Sequence, residues 1–225
     1  NLTMPNKNKI VELLDELSPE AQLIGAVNTV LNDNGKLIGY NTDGYGFMQS
    51  VRDAGHDITG KNITVMGVGG ASMAICAQSA LDGAASVHIF ARRTSRYWNR
   101  TQKFAENLSA KTGCQVCLFD NDDHTALRDS IAQSYLLINA TSVGMVPDID
   151  DTIIKDTSLF HPELVVADVV YEPQETRLLR EAKAAGCQTF NGMYMLLHQG
   201  AKAFQIWTGQ EMPVSVIKEK YFSVK

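Results

Sequence analysis

The sequence predicts an α/β fold: a doubly wound parallel sheet with a smaller, incomplete α/β lobe beside it. Two observations carry this. From residue 61 onward, short apolar runs alternate with helical patterns, the grammar of parallel strands joined by crossover helices. Those runs, such as "YLLINAT" and "LVVADVV", are apolar at consecutive positions, as strands covered on both faces must be. Before residue 61 the pattern differs, and its first part reads as a separate, shorter lobe.

In order, "KNKIVELLDEL" (7–17) places Ile10, Leu13, Leu14 and Leu17 at helical spacing and predicts a helix. "GAVNTVL" is β-rich, and Asn34-Gly35 marks a tight turn before "KLIGY", so Ala26 to Tyr40 predicts a hairpin. "NTDGYGFMQSVRDAG" predicts a helix closed by Gly55. "NITVMG" is the first parallel strand, followed by a glycine turn and the helix "SMAICAQSAL". "SVHIF" is the second strand, 98–111 a helix, and "CQVCLF" the third strand. After another helix come "YLLINAT" and "LVVADVV", the helix "TRLLREAKAAG" and the strand "CQTF". "GMYMLLHQGAKAFQIWTG" and "VSVIKEKYF" predict C-terminal helices. The expected division is 1–43 for the small lobe, 44–190 for the parallel domain, and 191–225 for helices packing back on the small lobe.

At 225 residues, 44% hydrophobic and 20% charged, the chain has an ordinary globular composition. A net charge of −5 argues against general binding of nucleic acid or anionic membranes. No apolar run approaches the roughly 18 residues that span a bilayer. The reading is a cytoplasmic protein. Cys114 and Cys117 form one C-x-x-C without a second pair or histidines at ligand spacing, so no metal is expected and the thiols read as small strand residues.

The chemistry begins at "VMGVGGAS". Gly67, Gly69 and Gly70 follow a strand and precede a helix, with Ser72 at the third glycine's place of a G-x-G-x-x-G turn. Such a Rossmann-type turn lets backbone approach a pyrophosphate, and the helix N-terminus offers it free N–H groups. The alternative is a turn needed only for packing. Selectivity is set at the end of the second strand, where an acid would bind the ribose hydroxyls of NAD. Here "IFARRTSR" supplies Arg92, Arg93 and Arg96 and no acid. Guanidinium groups suit a 2′-phosphate, which favours NADP and leaves NAD as the second choice.

"NLTMPNK", "IGAVNTV", "GYNTDGYGF", "GVGGAS", "NATSVGM", "VVYEP" and "GMYMLLHQGAKAFQIWTG" together resemble the shikimate dehydrogenase family, in its order and over essentially the whole chain. The "FARR" loop and the C-terminal helix are more similar to its quinate/shikimate branch. The resemblance implies a cleft between a substrate lobe and a Rossmann domain. It implies reversible hydride transfer between NADP(H) and shikimate, with quinate as a second substrate, in the route to aromatic amino acids. It places Lys7 and Asp43 as the catalytic pair and Thr3, Asn28, Tyr171 and Gln199 as substrate contacts. Gly69, Gly70 and Ala71 fall in the phosphate turn begun by Gly67, and Arg92, Arg93 and Arg96 in the adenosine-phosphate loop. Gly192 and Met195 line the nicotinamide.

There are two departures. Family members begin upstream with paired serines that hold the substrate carboxylate, and this chain starts inside a motif, as an N-terminally truncated one would. Ala91 also stands where the adenosine loop often has Asn. Apolar surface left uncovered at the front would favour self-association, so a homodimer is an open expectation.

A lysine in a closing cleft is suited to acid–base work, and a neighbouring carboxylate orients it, so the two form a coupled unit. Each residue has a plainer reading alone. Lys7 could be a solvated lysine, Asp43 a helix N-cap, Asn28 a hairpin residue, and Gln199 a helix polar group sharing a face with Met195. His198 reads as a cleft-edge residue rather than a catalyst. Two other functions stay open. A cofactor-binding chain without turnover would bind NADPH yet form none from shikimate or quinate. A folate-dehydrogenase-like reductase on this scaffold would act on a folate and on no cyclic hydroxy acid.

Overall fold

The computed structural model describes residues 1–3 and 5–222. Two sheets organise it. The small one has three strands, β1 (Glu16–Leu17), β2 (Thr29–Asp33) and β3 (Lys36–Tyr40), in the order β1-β3-β2. β2 and β3 are antiparallel, joined at Asn34 and Gly35 with φ of 53° and 97°. Two left-handed residues give the twist a two-residue hairpin needs, and Asn-Gly tolerates that conformation best.

The helix expected over 7–17 is not formed. A 3-10 turn spans Lys9–Leu13, and the chain then extends into β1, which pairs parallel with β3. Pro19 disfavours helical geometry at Ser18, and Asp15 exchanges bonds with Leu37 instead. Leu14 and Leu17 lie over Gly39 of β3, so their spacing serves a sheet face, and Leu13 is exposed. The helix comes later: α1 (Pro19–Ile24), with Ser18 accepting from Ala21 N and Gly25 left-handed at its end. The serine, proline and glycine are ordinary start and stop signals that the hydrophobic spacing overshadowed.

α2 (Asp43–Asp53) leads to the large sheet, whose strands are β4 (Asn62–Met66), β5 (Ser86–Ala91), β6 (Gln115–Asp120), β7 (Leu136–Asn139), β8 (Val165–Asp168) and β9 (Gln188–Phe190). All pairs are parallel, in the order β6-β5-β4-β7-β8-β9. In sequence terms this is 3-2-1-4-5-6, the Rossmann order, which reverses between β4 and β7. α3 (Gly70–Leu81), α4 (Trp98–Thr112), α5 (His124–Gln133) and α6 (Arg177–Ala184) make the crossovers. Both faces are covered: Leu136 and Ile138 enter one apolar cluster with α2, α3 and α4, and Leu137 the other with α5 and α6.

α7 (Met193–Thr208) packs along α2, and Trp207 Nε1 donates to Val30 O on β2 at 2.9 Å. α8 (Val214–Ile217) follows, continuing as a π-helical turn over Lys218–Phe222. Gly44 and Gly46 make α2 the pivot. A Cβ on Gly44 would lie 2.3 Å from Ala74 O of α3, and one on Gly46 2.7 Å from Met195 O of α7. Asp43 therefore starts a helix clamped between the nucleotide-type fold and the C-terminal helix.

Candidate active site

Lys7 Nζ lies 2.6 Å from Asp43 Oδ2, both side chains largely buried. Asn28 Nδ2 donates to Asp43 Oδ1 and to Thr42 Oγ1, each at 2.9 Å, and reaches Gln199 Oε1 at 3.5 Å. Asn28 Oδ1 accepts from Thr42 N and Thr29 Oγ1. Lys7, Asn28, Asp43 and Gln199, from four separate stretches of the sequence, thus form one polar cluster. Backbone bonds set it: Val27 N donates to Lys7 O, Leu2 N to Asn28 O, and Asn28 N to Tyr40 O. Thr3, exposed, follows Leu2 on the strand-like stretch laid against Asn28.

Asp43 is not the N-cap of α2. Thr42 holds that position, and Asp43 is the first helical residue, its amide donating to Asn41 Oδ1. The carboxylate is therefore free to hold Lys7 and Asn28. Thr42 and Asn41 escaped the sequence reading although both lie in the quoted "NTDG". His198 is not at a cleft edge. It is buried, with Nε2 2.9 Å from Asp53 Oδ2 at the opposite end of α2 from Asp43. Burial holds its imidazole below the usual range, against the pull of Asp53.

The glycine turn joins β4 to α3. Gly67 has φ of +113°, and a Cβ there would sit 2.8 Å from Thr141 Cγ2, so only glycine fits. Ser72 at the third glycine's place is fully buried, and its hydroxyl donates to Gly67 O at 2.6 Å, which satisfies the larger side chain within the turn. Gly69, Gly70 and Ala71 open α3, whose N-cap makes no side-chain bond. A Cβ on Gly69 or Gly70 would meet nothing within 4 Å. Open ground over uncapped amides suits a pyrophosphate. Beside it, Gly67 N bonds Phe90 O of β5, whose end carries the exposed Arg92, Arg93 and Arg96. Arg93 stacks on Trp98 and Arg96 on Tyr97. The residues fit a phosphorylated dinucleotide.

At the other side, Gly192 caps α7 so tightly against β8's exit that a Cβ would lie 2.1 Å from Val169 O. Met195 is half-buried one turn on, and Tyr171 is exposed. Among the described residues no cluster could hold a metal ion, and no helix is long and apolar enough to cross a membrane. The cysteines are free; Cys114 follows the C-terminal end of α4, and burial pushes its thiol up to about 11.

Fold and site together define a two-sheet α/β protein with a dinucleotide-type turn and a buried lysine–carboxylate pair beside it. Family models described as "Shikimate dehydrogenase substrate binding domain" and "Shikimate 5'-dehydrogenase C-terminal domain" match residues 1–30 and 192–220. A shikimate dehydrogenase (NADP(+)) from Listeria innocua is 52% identical over 99% of this chain and 76% of its own length. A quinate/shikimate dehydrogenase from Escherichia coli is 42% identical over 97% of this chain and 75% of its own. A crystal structure of shikimate 5-dehydrogenase from Listeria monocytogenes with shikimate and NAD superposes with a TM-score of 0.94 at 52% identity, covering 97% of this chain and 75% of that one. The chain belongs to the shikimate dehydrogenase family, and it spans about 76% of the length of the first of these relatives.

Proposed function

We propose that the protein interconverts shikimate and 3-dehydroshikimate with NADP(H), and that quinate is a slower second substrate. The observation that carries this reading is the Lys7–Asp43–Asn28–Gln199 cluster, on a helix start packed against the helix that opens at the glycine turn. The relative from Listeria innocua is named for NADP(+), which agrees with three exposed arginines after β5. The Listeria monocytogenes structure contains NAD, so NAD is kept as a weaker alternative cofactor.

A bound nicotinamide would exchange hydride with the carbinol carbon. The chain's own residues handle everything else. Lys7 Nζ faces the reacting oxygen and takes its proton as the alcohol is oxidised, or returns one in reduction. Asp43 holds the ammonium in place and accepts from the substrate's neighbouring hydroxyl. The 2.6 Å between them keeps the carboxylate in hydrogen-bond contact with the lysine nitrogen. Asn28 fixes Asp43 from its buried side, and Gln199 and Thr3 close around the ring. Tyr171 bounds the same space from the exit of β8, and Gly192 and Met195 bound the nicotinamide. Gly69, Gly70 and Ala71 bind the pyrophosphate through backbone, and Arg92, Arg93 and Arg96 bind the 2′-phosphate.

The domains divide at about 43 and 190, with α7 serving both. Four unpaired thiols suit a reducing cytoplasm, where the reaction would serve aromatic amino acid synthesis. The test is steady-state assay of shikimate and quinate, each with NADP and NAD. Fastest turnover with shikimate and NADP upholds the reading; no turnover with any pair overturns it.

A further inference from the structure

Asp168 is fully buried at the C-terminal end of β8, an interior strand whose other residues are Val165, Val166 and Ala167. A carboxylate in that place is costly to desolvate, and burial pushes its carboxyl up to about 6. The proposed chemistry does not use it. One of its hydrogen bonds crosses to the neighbouring strand and the others lead beyond the sheet. Oδ1 accepts from Val170 N at 2.9 Å and from Asn139 Nδ2 at 3.0 Å; Oδ2 accepts from Thr176 Oγ1 at 2.8 Å. Thr176 is the N-cap of α6.

Asn139 is the in-register neighbour of Asp168 on β7 and is equally buried. Its amide also donates to Val143 O, and its Oδ1 accepts from Thr141 N and Oγ1. The methyl of Thr141 is the group that rests on Gly67. On the other side, Val170 O accepts from Gly192 N, and Gly192 lies so close to Val169 that a Cβ would not fit between them. The buried pair divides the loops: Asn139 holds the one over the glycine turn through its own bonds to Thr141 and Val143, and Asp168 holds, through Val170, the one bearing Tyr171 and the start of α7.

We propose that Asp168 is a positioning residue: through Val170 it fixes the wall made by Tyr171 and Gly192, and so the geometry of hydride transfer. This rests on the shikimate–NADP reading. A wall displaced by about 1 Å costs on the order of 10²-fold in rate, whereas the adenosine side, built on Gly69, Gly70 and the arginines, is held by other bonds.

The test is Asp168→Ala, which removes both oxygens that accept from Val170 N, Asn139 Nδ2 and Thr176 Oγ1. Expected are a fall in kcat/KM of about 10–100-fold, an NADP Kd within about threefold of the parent by fluorescence titration, and faster amide exchange confined to 169–172 and 192–194. A kcat/KM within about twofold of the parent overturns the proposal, as does a loss of NADP affinity in step with the loss of rate. If Asp168→Ala fails to fold, Thr176→Val removes the donor to Asp168 Oδ2, together with the N-cap acceptor for Leu179 N. A loss of kcat/KM of about threefold or more at unchanged NADP Kd then upholds the proposal, and no loss overturns it. If the parent itself does not oxidise shikimate, the functional reading fails separately, and amide exchange decides for Asp168: protection lost only at the two loops upholds its hold on them, and unchanged protection overturns it.

Discussion

Lys7 and Asp43, 36 residues apart in sequence, stand with Nζ and Oδ2 2.6 Å apart. The hairpin brings them together, because Val27 N bonds Lys7 O at one end of it and Asp43 follows β3 at the other. Asp43 is the shared partner, since its second oxygen accepts from Asn28. Asp43→Asn removes the charge that holds Lys7 and faces Asn28 with a second amide. Turnover of shikimate should fall by about 10²–10⁴-fold with NADP affinity unchanged, as read by steady-state kinetics and cofactor titration.

Asn28→Ala should damage both fold and reaction. Asn28 is buried and fully bonded, and truncation orphans Thr42 N and one side of Asp43. Leaving buried polar groups unpaired costs about 1–3 kcal/mol, which denaturant titration would show. The KM for shikimate should rise as well.

The arginines after β5 make a cofactor-specific prediction. Replacing Arg92 and Arg93 with Ala should weaken NADP by about tenfold or more, since charge-assisted bonds contribute about 1.5–3 kcal/mol each. NAD affinity should hardly change. Arg93 also stacks on Trp98, so melting temperature should be compared in the same preparation.

Gly44→Ala tests the pivot. The new methyl would press on Ala74 O, a backbone atom with nowhere to go, at 2.3 Å. Overpacking of this kind costs about 1–3 kcal/mol. Because Asp43 is adjacent, shikimate turnover should fall further than stability accounts for.

Two buried groups shape stability with pH in opposite directions. Asp168 is raised from 3.8 to about 6, so the folded state binds its proton more tightly than the unfolded state does. Its contribution is present below pH 4 and lost as pH rises towards 6. Relative to the parent, Asp168→Asn should gain about 3 kcal/mol across that window. His198 is lowered; its neutral form is favoured, and stability falls as pH drops below 6.5. His198→Gln should flatten that acid-side loss. Urea unfolding at several pH values checks both.

Most of the large sheet was readable because its strands are apolar on both faces and its turn is marked by glycine. The chain order of Gly67, Gly69 and Gly70 followed by "ARR" marked the turn between β4 and α3 and the loop after β5 without any knowledge of contacts. The small lobe was harder. The spacing of Ile10, Leu13, Leu14 and Leu17 fits a helix, yet Leu14 and Leu17 are used by a sheet that exists only once β3 has formed. Pairing with a distant strand overrode local periodicity. The site residues came from motif resemblance; no local signal shows that Asn28 would meet Gln199, 171 residues away. Asp168 passed unnoticed inside "VVADVV", since a single acid in a strand gives no hint of donors waiting on a neighbouring strand, in the following loop and at a helix cap.

The most direct measurement is NADPH formation from shikimate by the parent protein and by Lys7→Ala, with NADP affinity measured alongside. A fall in kcat of about 10²–10⁴-fold at unchanged NADP Kd is the predicted result. Equal turnover in the two proteins would remove Lys7 from the reaction and contradict the lysine–carboxylate account.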